Sequence, residues 1–198
     1  MVQKRNVLLH GNKPGFSFIQ IVIVLSLISL IGSIAIPNIV RQQAGYEQKK
    51  FLTSINSLMS EVWQRALMSG KIEKVVFNFQ ARTVSVEQQK DGTDKDGSFL
   101  FEPLLLHYAQ NNYTWPESFQ FKQFFINGAD ELSARGPQGK TDTSWFFVMP
   151  SGMSQELILN IIDTAYATDD KEGKEMSFVL NPFTLQLRRY NEFQIPSS

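Results

Sequence analysis

The sequence predicts an α+β protein in which a long N-terminal helix packs on an antiparallel β-sheet. Residues 14–40 carry no charged side chain and hold much of the aliphatic content. Between Phe51 and Leu67 the apolar residues recur at spacings of three and four, which predicts a helix with one apolar face. Beyond Gly70 the period shifts towards two, and aromatic and β-branched residues become frequent, which favours strands.

The first predicted element is an apolar helix over residues 16–36, with the sequence FSFIQIVIVLSLISLIGSIAI. Its length is close to the roughly 20 residues that a helix needs to cross a hydrocarbon core about 30 Å thick. It is too long for the apolar part of a cleaved secretory signal peptide, which holds about 7 to 15 residues. Lys4, Arg5 and Lys13 lie only on its N-terminal side, so the positive-inside rule places residues 1–15 in the cytoplasm.

The second predicted element is an amphipathic half-helix over residues 37–70, which continues the first. Pro37 and Gly45 are expected to bend the helix. Gly70 occupies the place of a C-cap, so the helix is predicted to stop near Ser69. Its apolar face comprises Phe51, Leu52, Ile55, Leu58, Met59, Val62, Trp63, Ala66 and Leu67.

The remaining residues, 71–198, are predicted to form one β-rich domain. No alternation of strands with helices follows Gly70, so the sheet is expected to be antiparallel. The predicted strands are Ile72–Phe79, Thr83–Val86, Phe99–Tyr108, Phe119–Ile126, Ser144–Met149, Glu156–Ile162, Met176–Leu180 and Thr184–Tyr190.

Composition excludes several functional classes. The chain has no cysteine, which excludes disulfides and thiolate chemistry. Loss of residues 1–15 would leave 16 basic residues against 19 acidic ones, a charge of −3. Nucleic-acid binding needs clustered basic side chains, and the adjacent pairs Lys49–Lys50 and Arg188–Arg189 are interpreted as solvated or as subunit contacts. No nucleic acid is therefore expected as a partner.

The N-terminal residues resemble the type IV prepilin signature. The resemblance lies in residues 13–20, Lys-Pro-Gly-Phe-Ser-Phe-Ile-Gln, followed by the aliphatic helix and Pro37. It implies that a prepilin peptidase cuts after Gly15 on the cytoplasmic face and N-methylates Phe16. It also implies a helix-kinking role in filament assembly for Pro37, the twenty-second residue counted from Phe16. The twenty-one residues before Pro37 then form the transmembrane and filament-core helix, 16–36.

One position departs from this signature. The fifth residue of the processed chain is normally a glutamate, which is proposed to pair with the N-terminal ammonium of a neighbouring subunit. Here it is Gln20, which can accept a hydrogen bond from that ammonium but carries no charge. The weaker attraction favours a minor subunit over the major subunit of a filament.

The globular region resembles the general secretion pathway protein H family of type II secretion pseudopilins and related minor type IV pilins. The resemblance lies in Arg65–Phe79, Phe146–Gly152 and Phe178–Tyr190, although Thr184-Leu185 stands where the family has Thr-Gly. It implies a pilin-like fold and a minor pseudopilin that is held in the bacterial inner membrane with its C-terminal domain in the periplasm. The implied partners are the peptidase, the major and minor pseudopilins and the inner-membrane assembly platform, with which it would enter a pseudopilus for protein export.

Two alternatives remain open. A minor type IV pilin for pilus assembly, adhesion or DNA uptake would carry the same N-terminal signature. The other alternative is a membrane-tethered periplasmic binding domain that never polymerises, for which residues 16–36 would be an ordinary single-pass anchor.

The candidate sites for chemistry are few. Asp91, Asp94 and Asp96 cluster in an acidic turn and are candidate Ca²⁺ ligands, because clustered oxygens suit this hard cation. Aspartate and glycine are also the usual turn residues, so a solvated turn is the preferred interpretation and no cofactor is expected.

No enzymatic activity is predicted. The sequence has no nucleophile elbow, zinc-protease, P-loop or dinucleotide motif. His107 is the one histidine beyond residue 15 and is expected to be structural. A dense aromatic group is assigned to the core or to a subunit interface, and it comprises Trp115, Phe119, Phe121, Phe124 and Phe125.

Overall fold

A computed structural model describes residues 18–104, 106, 113–133 and 142–196. The chain divides into two compact units, Met1–Val40 and Arg41–Ser198. Helix α1, Phe18–Ser69, is 52 residues long. The described residues after it form a 3₁₀ turn, Thr164–Tyr166, and ten strands: β1 Glu73–Asn78, β2 Thr83–Thr93, β3 Phe99–Pro103, β4 Tyr113–Thr114, β5 Phe119–Ile126, β6 Ala129–Asp130, β7 Thr143–Val148, β8 Leu157–Asp163, β9 Lys174–Leu180 and β10 Leu187–Tyr190.

Helix α1 ends at Ser69, as the sequence predicts. Gly70 has a φ of 65°, the left-handed conformation that glycine adopts without a steric penalty. Its N–H donates to the carbonyl of Ala66 over 3.1 Å and satisfies one of the last helical acceptors. Pro37 lies within α1; the expected bend at Pro37 and Gly45 stays a prediction.

The strands form two antiparallel sheets, whereas the sequence predicts one. The first sheet has the order β3-β2-β1-β7, with β4 pairing with β2. The second has the order β10-β9-β8-β5-β6. The chain enters the second sheet at β5, returns to the first at β7 and leaves it again at β8. Periodicity marks most of the strands, although not the two-residue strands β4 and β6, and it does not say which strands are neighbours. This explains the difference.

Most strand boundaries agree with the prediction, and β5 agrees at both ends. Strand β2 extends past Val86 to Thr93, with an irregular register between Gln89 and Thr93. This extension is mostly polar and exposed, so it carries no alternating pattern. Strand β10 begins at Leu187 rather than Thr184, because the residues before it form a turn in which the N–H of Leu185 donates to the carbonyl of Asn181 over 2.9 Å.

The second half of α1 packs on both sheets through one face. Its buried apolar side chains are at most 1% exposed and belong to Phe51, Ile55, Leu58, Met59, Val62 and Ala66. Full burial of a large apolar side chain contributes about 1.5–3 kcal/mol. The strands supply the other side of this hydrophobic core through residues such as Val75, Phe77 and Phe146 of the first sheet and Leu159, Phe178 and Leu180 of the second.

The predicted aromatic group lies mainly in this core. Trp115, Phe119 and Phe124 are at most 4% exposed, and Phe121 is half-buried against them. The Trp115 and Phe121 rings meet edge to face with centroids 4.9 Å apart, a favoured aromatic geometry. Phe125 is half-buried. The core assignment is therefore confirmed for the first three residues.

Candidate functional site

The predicted assembly residues are only partly described. Gly15 and Phe16 lie outside the described residues, so cleavage and N-methylation stay predictions. Gln20 is exposed in the first turn of α1. Pro37 also lies in α1, but its side chain is not among those that the structure describes. Within the described part of the chain, no helix combines the length and the apolar composition needed to cross a membrane.

Exposed apolar side chains cover the first part of α1. Every large apolar residue from Phe18 to Ile31 is between 40% and 81% exposed. These residues, called the apolar helix surface below, are Phe18, Ile19, Ile21, Val22, Ile23, Val24, Leu25, Leu27, Ile28, Leu30 and Ile31. They leave no polar face, since they occur at almost every position of the helical turn. A helix that is apolar all round is stable when a nonpolar environment covers it.

The serines of this segment do not make the surface polar. Each hydroxyl donates to a backbone carbonyl in the preceding turn of the same helix. A hydroxyl satisfied in this way presents no donor outward. The pairs are Ser26 with Val22 (2.8 Å), Ser29 with Leu25 (2.9 Å) and Ser33 with Leu30 (2.7 Å).

Polar contacts anchor the second half of α1 to the strands. The Gln48 Nε2 donates to the Asp163 Oδ2 over 2.7 Å, and both side chains are buried. The other carboxylate oxygen of Asp163 accepts from the N–H of Ala165 over 3.1 Å and caps the 3₁₀ turn. The Arg189 Nη1 donates to the Gln48 Oε1 over 2.8 Å. One helix side chain therefore joins the ends of β8 and β10.

The Asn56 side chain covers the outer edge of β10 by making the two backbone hydrogen bonds that a neighbouring strand would make. Its Nδ2 donates to the carbonyl of Leu187 over 3.1 Å, and its Oδ1 accepts from the N–H of Leu187 over 2.7 Å. An open sheet edge is a template for unwanted strand pairing. The helix thus protects the edge that it packs against.

Trp63 fixes the turn after β7. Its Nε1 donates to the carbonyl of Gly152 over 3.0 Å. Gly152 has a φ of 80°, and a Cβ atom at this position would lie 2.8 Å from the Trp63 Nε1. Glycine is required here for both backbone conformation and close approach.

The basic pairs have different surroundings. All four side chains are exposed, and Arg189 also donates to Gln48. One of the four side chains therefore makes a hydrogen bond within the domain, and the absence of nucleic-acid binding stays a prediction.

The candidate calcium residues divide between a strand and a turn: Asp91 lies in β2, and Asp94 and Asp96 lie in the turn that follows it. Asp91 forms an ion pair with Lys71 over 3.1 Å. The Asp94 Oδ1 accepts from the backbone N–H groups of Asp96 and Ser98, each over 2.9 Å, and closes the turn between β2 and β3. Across the described residues, no group of three or more His, Cys, Asp or Glu is arranged to hold a metal ion. A calcium requirement stays untested, and His107 lies outside the described residues.

Sequence reasoning missed the buried acid Glu73. It begins β1 and is 0% exposed. The Gln88 Nε2 donates to its Oε1 over 2.7 Å, and its Oε2 has no hydrogen-bond partner among the described residues. Burial raises the pKa of the Glu73 carboxyl, against the opposing effects of the Gln88 hydrogen bond and the Arg65 and Lys71 charges. Its alternation with Val75 and Phe77 on the core side of β1 was the available signal.

Comparisons with known proteins give a structural likeness only. No protein-family model and no curated protein matches the chain. Two solved structures of the minor pseudopilin EpsH from the type 2 secretion system of Vibrio cholerae are similar to it, each at 18% identity with a TM-score of 0.47. One match covers 73% of this chain and 97% of that chain. The other covers 77% and 96%. Both belong to the class that the sequence resembles.

Proposed function

We propose that this protein is a minor pseudopilin of a type II secretion system, a subunit of a short periplasmic filament that supports protein export. The observation that carries the proposal is the difference in burial between the two halves of α1. Its residues from Phe18 to Ile31 expose apolar side chains on all sides, whereas Phe51 to Ala66 bury one face in the β-domain. The second half of α1 is thus held by the β-domain, while the first half requires a nonpolar environment. This arrangement suits a subunit of a filament whose core is a bundle of such helices.

The proposed life cycle has two nonpolar environments for the apolar helix surface. The inner membrane covers it first, with the β-domain in the periplasm, and neighbouring helices cover it in the filament. Lipid tails are as apolar as leucine, so the hydrophobic effect does not drive the transfer between them. Packing and hydrogen bonds between helices decide it instead, and the inner-membrane assembly platform supplies the work of extraction.

Gln20 has a specific part in this scheme. It is a polar side chain among the apolar residues at the start of α1. In a helical bundle a buried amide needs a hydrogen-bond partner. The N-terminal ammonium of a neighbouring processed subunit provides one donor, without the full attraction that a glutamate would add. This is the physical basis for proposing a minor rather than a major subunit.

The proposed role is structural rather than catalytic. The domain contributes surfaces that contact the major and other minor pseudopilins, and processing by a prepilin peptidase at Gly15 prepares the helix for assembly. Phe16 becomes the methylated first residue. Neither cofactor nor metal is part of the proposal.

Processing is tested by coexpression with a prepilin peptidase, followed by mass spectrometry of the intact protein. We expect a product that begins at N-methylated Phe16. Gly15→Leu should block cleavage, because a side chain at the scissile residue obstructs the peptidase, whereas Gly11→Leu in the same leader should not. An intact chain, or cleavage at another bond, in the presence of an active peptidase contradicts the proposal.

A further inference from the structure

Three polar side chains form one row across neighbouring strands of the second sheet. Asn160 on β8 lies opposite Gln123 on β5 and Ser177 on β9. Asn160 and Ser177 are 0% exposed, and Asn160 interrupts the apolar run of β8. Buried polar groups are normally retained only where their hydrogen bonds are satisfied. These three residues are called the polar row below.

The C-terminal segment from Asn191 to Pro196, called the tail below, crosses this row. The N–H of Gln194 donates to the Asn160 Oδ1 over 3.1 Å, and the Asn160 Nδ2 donates to the carbonyl of Gln194 over 2.9 Å. The Ser177 Oγ lies 3.0 Å from the same N–H and 2.8 Å from the carbonyl of Glu192. All of these contacts reach backbone atoms of the tail.

The tail side chains lie outside these hydrogen bonds. Glu192 is exposed and Ile195 is 80% exposed, whereas Phe193, Gln194 and Pro196 are half-buried. The side-chain amide of Gln194 donates within the tail, to the carbonyl of Phe193 over 3.4 Å. The polar row therefore contacts the tail through its extended backbone.

The polar row is oriented without the tail. The second N–H of the Asn160 amide donates to the Gln123 Oε1 over 2.7 Å. The Ser177 hydroxyl lies within hydrogen-bond reach of the Asn160 Oδ1 as well as of the Glu192 carbonyl. A hydroxyl has one proton, so it donates to one of these oxygens at a time. When the tail leaves, the Ser177 proton keeps a partner in the Asn160 Oδ1, and Gln123 still holds the Asn160 amide. The Asn160 N–H that bonded the Gln194 carbonyl is then open to the carbonyl of another segment.

We propose that the polar row is a binding site for the backbone of an extended peptide, and that the tail is its displaceable occupant. The site takes a segment that offers the N–H and C=O of one residue and the C=O of the residue two positions earlier. Proline is excluded at the position of Gln194, because it has no N–H. This inference stands independently of the proposed function.

The test frees the site within the full chain. Gln194→Pro removes the tail N–H, and Glu192→Ala serves as the control because it keeps every backbone contact. We expect a labelled peptide with the sequence of residues 191–198 to bind the Gln194→Pro protein saturably, as measured by fluorescence anisotropy. The wild-type and Glu192→Ala proteins, whose own tails fill the site, should not bind it.

Two modified peptides separate backbone recognition from side-chain recognition. N-methylation at Gln194 should weaken binding at least about tenfold, the factor that corresponds to one lost hydrogen bond. N-methylation at Phe193 should leave binding unchanged. Equal binding of the Gln194-methylated peptide, or no binding of any peptide to a folded Gln194→Pro protein, overturns the proposal.

A second measurement does not depend on the folding of the proline variant. Hydrogen exchange of the Gln194 amide is measured in the full-length wild-type and Ser177→Ala proteins. We expect exchange at least about tenfold faster in Ser177→Ala, because the N–H loses one of its two acceptors and the Glu192 carbonyl loses its donor. An unchanged exchange rate at Gln194 contradicts a tail held by the polar row.

Discussion

Glu73 is a carboxylic acid that the fold removes from water. Its raised pKa means that folding favours the protonated form. The stabilising contribution of that proton is full below the unfolded pKa and is lost as the pH rises through the folded pKa. The contribution of Glu73 to the free energy of unfolding is therefore smaller at neutral pH than in mild acid.

Glu73→Gln removes this dependence. We expect the free energy of unfolding of the variant, relative to wild type, to increase from about pH 4 to about pH 8, because nothing ionises at position 73. Urea denaturation at a series of pH values measures it. Glu175→Gln, on an exposed side chain of β9, is the matched control. A constant difference between wild type and Glu73→Gln would refute the assignment.

Leu185 has a backbone conformation that favours glycine. Its φ is 51°, in the left-handed region that glycine adopts freely, and its side chain is 0% exposed. The strained backbone costs about 1–2 kcal/mol. Burial of a leucine side chain contributes about 1.5–3 kcal/mol, which offsets that strain and keeps the turn.

This balance predicts an unusual order of stabilities. Leu185→Ala should lose about 2–5 kcal/mol, because it empties a core position and keeps the strain. Leu185→Gly should lose about 1 kcal/mol less, since glycine relieves the positive φ. Denaturant unfolding of the two variants measures the difference. If glycine proved at least as destabilising as alanine, the strain argument would be wrong.

At the scale of elements, the turn after β7 is locked to α1 by Trp63 and Gly152. Gly97, in the turn before β3, provides a natural comparison. Its φ of 79° is nearly that of Gly152 at 80°, but nothing lies within 4 Å of the place where its Cβ would be. The two glycines thus differ in packing and not in backbone conformation.

Alanine at these two positions separates conformation from packing. Gly97→Ala should cost about 1–2 kcal/mol from the backbone alone. Gly152→Ala should cost about 1–3 kcal/mol more, because its Cβ clashes with Trp63. Thermal or urea unfolding of both variants measures the difference, and equal losses would show that the Trp63 contact is unimportant.

An element could be predicted from the sequence where nearby residues mark its bounds. The end of α1 at Ser69 and the bounds of β5 were predicted, because a C-cap glycine and an alternating pattern mark them locally. The polar half of β2 was not, since its pairing with β3 depends on a neighbouring strand. Asn56 and Asn160 were missed for a related reason: their partners, Leu187 and Gln194, are distant in sequence.

At the scale of the whole molecule, the α+β class and the antiparallel pairing follow from periodicity, but the split into two sheets does not. Local pattern records which residues are buried and leaves the neighbour of each strand open. For the candidate functional site, too, local sequence pattern predicts only some of the residues. The apolar helix surface was evident from composition, whereas the processing residues Gly15 and Phe16 rest on the resemblance to prepilins alone.

The central claim is that the apolar helix surface is covered by helices of other subunits in the assembled state. Because the chain has no cysteine, an introduced one is its only thiol. Ile28→Cys places it on the apolar helix surface, where Ile28 is 60% exposed. Lys95→Cys, on the exposed turn between β2 and β3, is the matched control.

Disulfide crosslinking of these variants tests the claim most directly. The host cells have a working type II secretion system, and their pseudopilins carry helix cysteines. We expect Ile28→Cys to form adducts with those pseudopilins only when the assembly platform is active, and Lys95→Cys to form none. An Ile28→Cys protein that stays monomeric beside an active platform, or one that forms the same adducts without it, would contradict the account.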